Sequence, residues 1–147
     1  MGLLNSIEGD KVYIDTNIFI YAIEGFEPYE NELGDFFGAI DNGDIQSATS
    51  ELTLAESLVK PIEEEDVNQQ QIYKETLQDR RHFRLIPVRR PILVESAHLR
   101  ATTSLRLPDA IHLATAHEAD CDTLITNDTG FRDSSHIDII ILSDVLG

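Results

Sequence analysis

The sequence predicts an α/β fold, a three-layer α/β/α sandwich with a central parallel sheet, and three observations carry that expectation. Five short apolar runs alternate with segments whose apolar residues recur at helical spacing. Strands separated by helices pair in parallel through right-handed crossovers, which is the connectivity of such sandwiches. The first and fourth runs each close on an aspartate, Asp15 and Asp128, and sites in sheets of this kind form outside the carboxyl ends of the strands. A length of 147 residues suits one domain over 1–147 with a real core, and no linker-like stretch or internal repeat divides it.

Taken in order, Val12-Tyr13-Ile14 is the centre of a strand over 11–15, and Ile18-Phe19-Ile20-Tyr21 belongs to a helix over 17–24. A second helix is expected over about 29–41 and a strand near 45–48. Ser50 is a good N-cap, and Pro61 a stop, for a helix over 51–60. Within it Leu52, Ala55 and Val59 recur at the spacing of one face, and Glu56 lies between them, pointing toward the core. A polar helix over about 64–81 follows, with Val67, Tyr73 and Leu77 as a thin apolar stripe, and then a strand over 83–88. Helices over about 92–103 and 108–119 come next; in the second, Ala110, Leu113 and Ala116 form the apolar stripe. Pro108 sits where a first helical turn tolerates it, so Asp109 opens that helix beside its positive end. Strands over 123–126 and about 137–142 complete the sheet.

Asp15, Glu56, Asp109 and Asp128 each interrupt an apolar segment where a carboxylate is costly. A buried carboxylate must be neutralised, hydrogen-bonded or bound to a cation. Singly, each aspartate has a plainer reading: Asp15 as a helix cap with Asn17, Asp109 as a helix N-terminal charge, Asp128 as an Asx-type turn in Asn127-Asp128-Thr129-Gly130. That reading fits Glu56 badly and gives no reason for two aspartates at the ends of two strands. A hard divalent metal is the economical explanation of all four.

The net charge of −16 argues at first against a nucleic-acid partner, but it is unevenly spread. From Lys74 to Arg106 there are eight basic residues and three acidic ones, a local +5, while the rest of the chain carries −21. A basic stretch beside an acidic metal cluster suits a phosphodiester substrate; a solvated helix face or a dock for an acidic partner explains it equally well. No signal-peptide core and no run long enough to span a bilayer is found, so a soluble cytoplasmic chain with no membrane partner is expected. The single cysteine, Cys121, cannot form an intrachain disulfide and lacks companions for a zinc site; it reads as a loop or partly buried thiol.

The segment 12–21, Glu56 in its short helix, Leu107-Pro108-Asp109-Ala110-Ile111-His112-Leu113-Ala114-Thr115-Ala116, and Leu124-Ile125-Thr126-Asn127-Asp128 together resemble PIN-domain ribonucleases, most of all the small VapC-type toxins. The resemblance covers essentially the whole chain, in order and spacing. It implies a metal-dependent endoribonuclease with Asp15, Glu56, Asp109 and Asp128 as catalytic and metal-binding acids, using Mg²⁺ or Mn²⁺ to activate a water for in-line attack on RNA. Asp15 and Asp109 are the expected direct ligands; Glu56 and Asp128 bind through water, orient the nucleophile or complete a second metal site. It further implies a homodimer held inactive by an antitoxin from a neighbouring gene. A housekeeping RNA-processing nuclease and a catalytically idle PIN-like binding module are the alternatives.

Several residues are discounted. His112 follows Asp109 by three positions, yet a satisfied buried histidine is the expectation, since oxygen-only coordination suits these metals. His82, His98, His117 and His136 have no ligand-like spacing, and Asp133 reads as a loop residue. Thr16, Asn17, Thr126 and Asn127 either support the acids or act as caps and turn residues. No glycine-rich phosphate loop is found, and no second acid near Asp15 or lysine after a late strand supports an aspartyl-phosphate receiver. A purely structural adaptor leaves the buried acids unexplained.

Overall fold

In chain order the elements are α1 (Leu3–Ser6), β1 (Lys11–Ile14), α2 (Thr16–Glu24), a short 3-10 turn, α3 (Glu30–Asp41), β2 (Gln46–Ser50), α4 (Glu51–Glu63), α5 (Val67–Thr76), β3 (Phe83–Ile86), α6 (Arg90–Thr102), α7 (Leu107–Glu118), β4 (Thr123–Thr126), a second 3-10 turn, β5 (Asp138–Ile141) and α8 (Leu142–Leu146). They come from a computed structural model that describes residues 2–132 and 137–146. Asp133 and His136 lie outside the described residues. The five strands form one sheet in the order β3-β2-β1-β4-β5, and all four pairings are parallel. The predicted α/β/α sandwich is the observed architecture.

Period-two alternation in the strands splits the core between the two faces of the sheet. Val12, Ile14, Phe83, Ile125 and Ile140 pack with Leu3, Phe19, Phe36 and Tyr73 under α1 to α5, while Tyr13, Ala48 and Leu124 pack with Leu113 and Ala116 under α6 and α7. Each fully buried large apolar side chain contributes about 1.5–3 kcal/mol relative to exposure. Because α2 to α5 link β1, β2 and β3 on one face and α6–α7 return the chain past β1 to β4 on the other, the winding reverses between the neighbouring strands β1 and β4. A crevice therefore opens at their carboxyl ends, where Asp15 and Asp128 follow.

The helix boundaries depart from expectation in physically informative ways. Ser50 caps α4 through its hydroxyl, which accepts from the Leu52 N–H at 2.9 Å, but Pro61 does not stop it. Near the end of a helix a proline removes only one ladder bond, here to Ser57, and the chain closes the last turn with Glu64 N–H to Lys60 O and Asp66 N–H to Pro61 O. Glu65, at φ 55°, turns the chain. Asp66 then caps α5 by accepting from the Gln69 N–H. The polar helix is consequently shorter at both ends than its pattern implied, and Val67 is exposed, so only Tyr73 and Leu77 of its apolar stripe are buried. It ends because Arg80 and Phe83 exchange backbone hydrogen bonds in a tight turn leading into β3. Leu142, expected to end the last strand, instead opens α8. Gly25 ends α2 at φ 69°, a left-handed conformation that costs glycine little, while the Phe26 N–H closes on Tyr21 O.

Cys121 is buried, 4% exposed, in the connection from α7 to β4. Burial, opposed by Lys11 and aided by Asp122 and Asp120, pushes its thiol up to about 12. A pKa so far above the ordinary value near 8.5 leaves roughly three orders of magnitude less thiolate at neutral pH. Native protein is expected to resist a thiol reagent that labels the urea-unfolded chain within minutes; equal labelling rates would contradict the burial. The folded value exceeds the unfolded one, so this thiol lowers stability only as pH rises above about 8.5.

Candidate active site

Asp15 is placed by the sheet. Its backbone N–H continues the β1–β4 ladder by donating to Ile125 O at 3.0 Å, and its carboxylate, 6% exposed, then caps α2 by accepting from the Thr16 N–H at 2.8 Å. Thr126 on β4 donates its hydroxyl to Asp15 Oδ2 at 2.6 Å and accepts the Asp128 N–H at 3.0 Å, tying the ends of the two strands together. Asn17 donates to Asp15 Oδ2 at 3.3 Å. The capping role and a role in a charged site coexist in one side chain. Asp128 likewise accepts from the Gly130 N–H at 2.8 Å with Oδ1 and leaves Oδ2 toward the pocket, 3.8 Å from Arg106.

Glu56 arrives from a face of α4 different from the predicted one. The residues turned inward are Thr53, Ser57 and Pro61, while Val59 is exposed. Glu56 borders that inward face and is half-buried. Thr16 donates its hydroxyl to Glu56 Oε1 at 2.7 Å, and His112 Nε2 lies 2.7 Å from the same oxygen. A chain of hydroxyls continues beneath, from Thr16 to Thr53, Thr49 and Ile14 O.

α7 supplies the remaining groups. Pro108 stands in its first turn, as does Asp109, whose side chain is 14% exposed. His112, one turn further and 1% exposed, is held from both sides: Tyr13 OH is 2.6 Å from Nδ1, and Nε2 faces Glu56 and, at 3.7 Å, Asp15. With Glu56 ionised, the partner at Nε2 requires a proton there. The expected satisfied histidine is thus found, but inside the site. Arg106, the residue before α7 and largely exposed, points its guanidinium between two of the acids: Nε is 3.3 Å from Asp109 Oδ2 and Nη2 is 3.8 Å from Asp128 Oδ2. By sequence Arg106 belongs only to the basic stretch, and its position three residues before Asp109 is the one sequence signal for this role. Asn127 is occupied elsewhere, accepting from the Ser143 N–H and donating to Tyr21 OH.

Asp15, Glu56, Asp109 and Asp128 line a single open pocket of about 210 Å³ with Thr16, Asn17, Arg106 and His112. A larger concavity of about 630 Å³ lies apart from it, between α2, α3 and the end of α5. The ionisation of the pocket follows from crowding. Burial is the largest influence on Asp109 and, with the fields of Asp128 and Asp15, holds its carboxyl above the ordinary value against the opposing Arg106. Burial alone would lower His112, but the Glu56 hydrogen bond and the charges of Asp15, Glu56 and Asp109 raise it. Burial would raise Glu56, yet bonding to His112 and Thr16 lowers it. Among the described residues, no three acidic, histidine or cysteine side chains stand ready as a closed metal cage.

The sequence matches the PIN domain family over residues 12–136, most of its length. The chain belongs to the PIN domain family. The pocket therefore belongs to a fold family of nucleases, which makes hydrolysis of nucleic-acid phosphodiesters its chemical context. The sequence matches none of the curated proteins compared with it. Among solved structures, this PIN domain is similar to a toxin–antitoxin complex from Klebsiella pneumoniae, with 28% identity and a TM-score of 0.63 over 88% of this chain and 95% of that one. It shares its fold with VapBC2 of Rickettsia felis bound to a promoter DNA fragment, at 19% identity, TM-score 0.67, over 88% and 97% of the two chains. DNA-bound VapBC of Salmonella typhimurium is similar at 16% identity, TM-score 0.62, over 90% and 98%. Among the described residues no helix is long and apolar enough to cross a membrane.

Proposed function

We propose that this PIN domain is a metal-dependent endoribonuclease and the toxin of a toxin–antitoxin pair, acting in the cytoplasm as a homodimer and restrained by a protein antitoxin, with residues 1–147 as one nuclease domain. The observation that carries the reading is that carboxylates from four separate segments, following β1, within α4, opening α7 and following β4, converge on one pocket at the carboxyl ends of the sheet. The toxin assignment is supported by the Klebsiella pneumoniae toxin–antitoxin complex, which matches at 28% identity along nearly its whole length.

The donor set fits a hard cation. Carboxylate oxygens suit Mg²⁺ or Mn²⁺, which keep several water ligands and so need no closed protein cage. Asp15 and Asp109 would hold such an ion directly, with Glu56 and Asp128 acting through water. When bound, the ion supplies Lewis acidity toward phosphoryl oxygens and a lowered pKa for the attacking water. The protein supplies the rest. Thr16 and His112 fix Glu56 where it can orient a water, and Thr126 and the Thr16 N–H fix Asp15. Arg106, exposed at the rim, provides a guanidinium fork for a phosphate oxygen.

The test is cleavage of a generic single-stranded RNA by the purified chain with Mg²⁺ or Mn²⁺ and with chelator. Internal cleavage in metal, lost on chelation, is expected. Intact RNA under every metal condition would leave a binding module in place of a nuclease.

A further inference from the structure

The acid pocket presents four carboxylates and one arginine, and the chain carries −16 in all. Most of its surface therefore repels a polyanion. Four of the eleven lysine and arginine residues nevertheless line one concavity of about 530 Å³ beside the edge strand β3. Arg84 reaches it from β3, Arg81 and Arg89 from the residues flanking that strand, and Lys11 from the start of β1. Strand alternation accounts for the convergence: Phe83 and Leu85 pack into the core under α1 to α5, which turns Arg84 and Ile86 to the opposite face.

Arg81, Arg84 and Arg89 are exposed and form no ion pair among the described residues, although the chain has 27 acids. Lys60, Arg106 and Arg132, by contrast, are each paired with a carboxylate. The preceding Arg80 is not part of the group, since its guanidinium lies 4.8 Å over the Phe83 ring and donates to Thr76 O. Among the described residues, only Glu118 and Asp120 oppose the four cations in the lining.

We propose that this concavity is a phosphate-backbone subsite that holds RNA outside the cleavage pocket; it deepens the nuclease reading and rests on it for the identity of the polyanion. The planar forks of arginine match phosphate oxygens bidentately. Among the described residues the lining has no aromatic ring on which a base would stack, so the contacts it offers are to the backbone and independent of sequence. None of the large exposed apolar side chains among the described residues borders the concavity, so it lacks the aromatic or aliphatic anchor that protein interfaces commonly bury beside their arginines.

The test titrates a short labelled RNA of mixed sequence into wild type, Arg81→Gln/Arg84→Gln and Arg80→Gln by fluorescence anisotropy, in chelator to prevent cleavage, at several salt concentrations. The double variant is expected to bind about tenfold more weakly, with a slope of log affinity against log salt shallower by about 1.4, the loss of two single-strand phosphate contacts. Arg80→Gln should bind as wild type, and the double variant should melt with wild type because the Arg81 and Arg84 side chains are exposed and form no ion pair among the described residues. RNA affinity and slope unchanged in the double variant would overturn the proposal, leaving the arginines to guard an edge strand. So would loss of polyglutamate binding with RNA binding intact, which would assign the surface to an acidic protein segment. Cleavage in metal is read separately: weakened binding without any wild-type cleavage would sink the nuclease reading and leave the subsite, whereas cleavage with unchanged binding would sink the subsite alone.

Discussion

Asp15→Asn and Asp109→Asn are each expected to lower RNA cleavage by more than about 100-fold, the upper end of what loss of a supporting partner costs a metal site, while the fold survives. Asparagine keeps an oxygen for the Thr16 N–H that Asp15 now caps, and the Thr126 hydroxyl can rotate to accept from the new amide. The thermal outcome has a definite sign. The folded pKa of Asp109 is raised, so its penalty is absent below the unfolded value of about 3.9 and develops as pH rises through the folded value. At neutral pH the ionised group disfavours the metal-free fold, and Asp109→Asn should leave Tm level or higher. Unchanged cleavage by both variants, measured beside their melting curves, would sink the assignment of these acids.

The second large effect is on stability. Mg²⁺ or Mn²⁺ is expected to raise Tm, because a ligand bound only by the folded site stabilises it by about 2.7 kcal/mol at a hundredfold excess over Kd. For a chain of this size that corresponds to a rise of roughly 6–10 °C. The gain should vanish on chelation and be blunted in Asp128→Ala, whose Oδ2 otherwise faces the pocket beside Arg106. Scanning calorimetry or dye-monitored melting across the millimolar range reads it directly. A wild-type curve indifferent to both metals would count against a metal site even if cleavage were detected.

Local chemistry determined much of this protein. A β-type run that closes on Asp15, a proline-led helix that opens with Asp109, and a second run leading to Asp128 are readable because strand ends and helix starts depend on neighbouring residues. The parallel sandwich follows from the order of those elements. Tertiary structure decided which polar groups go inside. Hydrophobic spacing assigns the inner face of α4 to Leu52, Ala55 and Val59, but the buried residues are Thr53, Ser57 and Pro61; the Thr53 hydroxyl is satisfied by Thr49 and Thr16 from other elements, whereas the buried Ser57 hydroxyl has no hydrogen-bond partner among the described residues. A buried hydroxyl with partners costs little, and a periodicity of apolar residues cannot register it. His112 gives the same lesson: its partners, Tyr13 and Glu56, lie 99 and 56 residues away in sequence. The arginine concavity, too, draws Lys11 from the first strand to a group centred on β3. Which apolar residues of α4 turn inward is not fixed by the helix pattern alone, and burial of a hydrogen-bonded polar group such as Thr53 or His112 is a property of the partners that the fold brings to it.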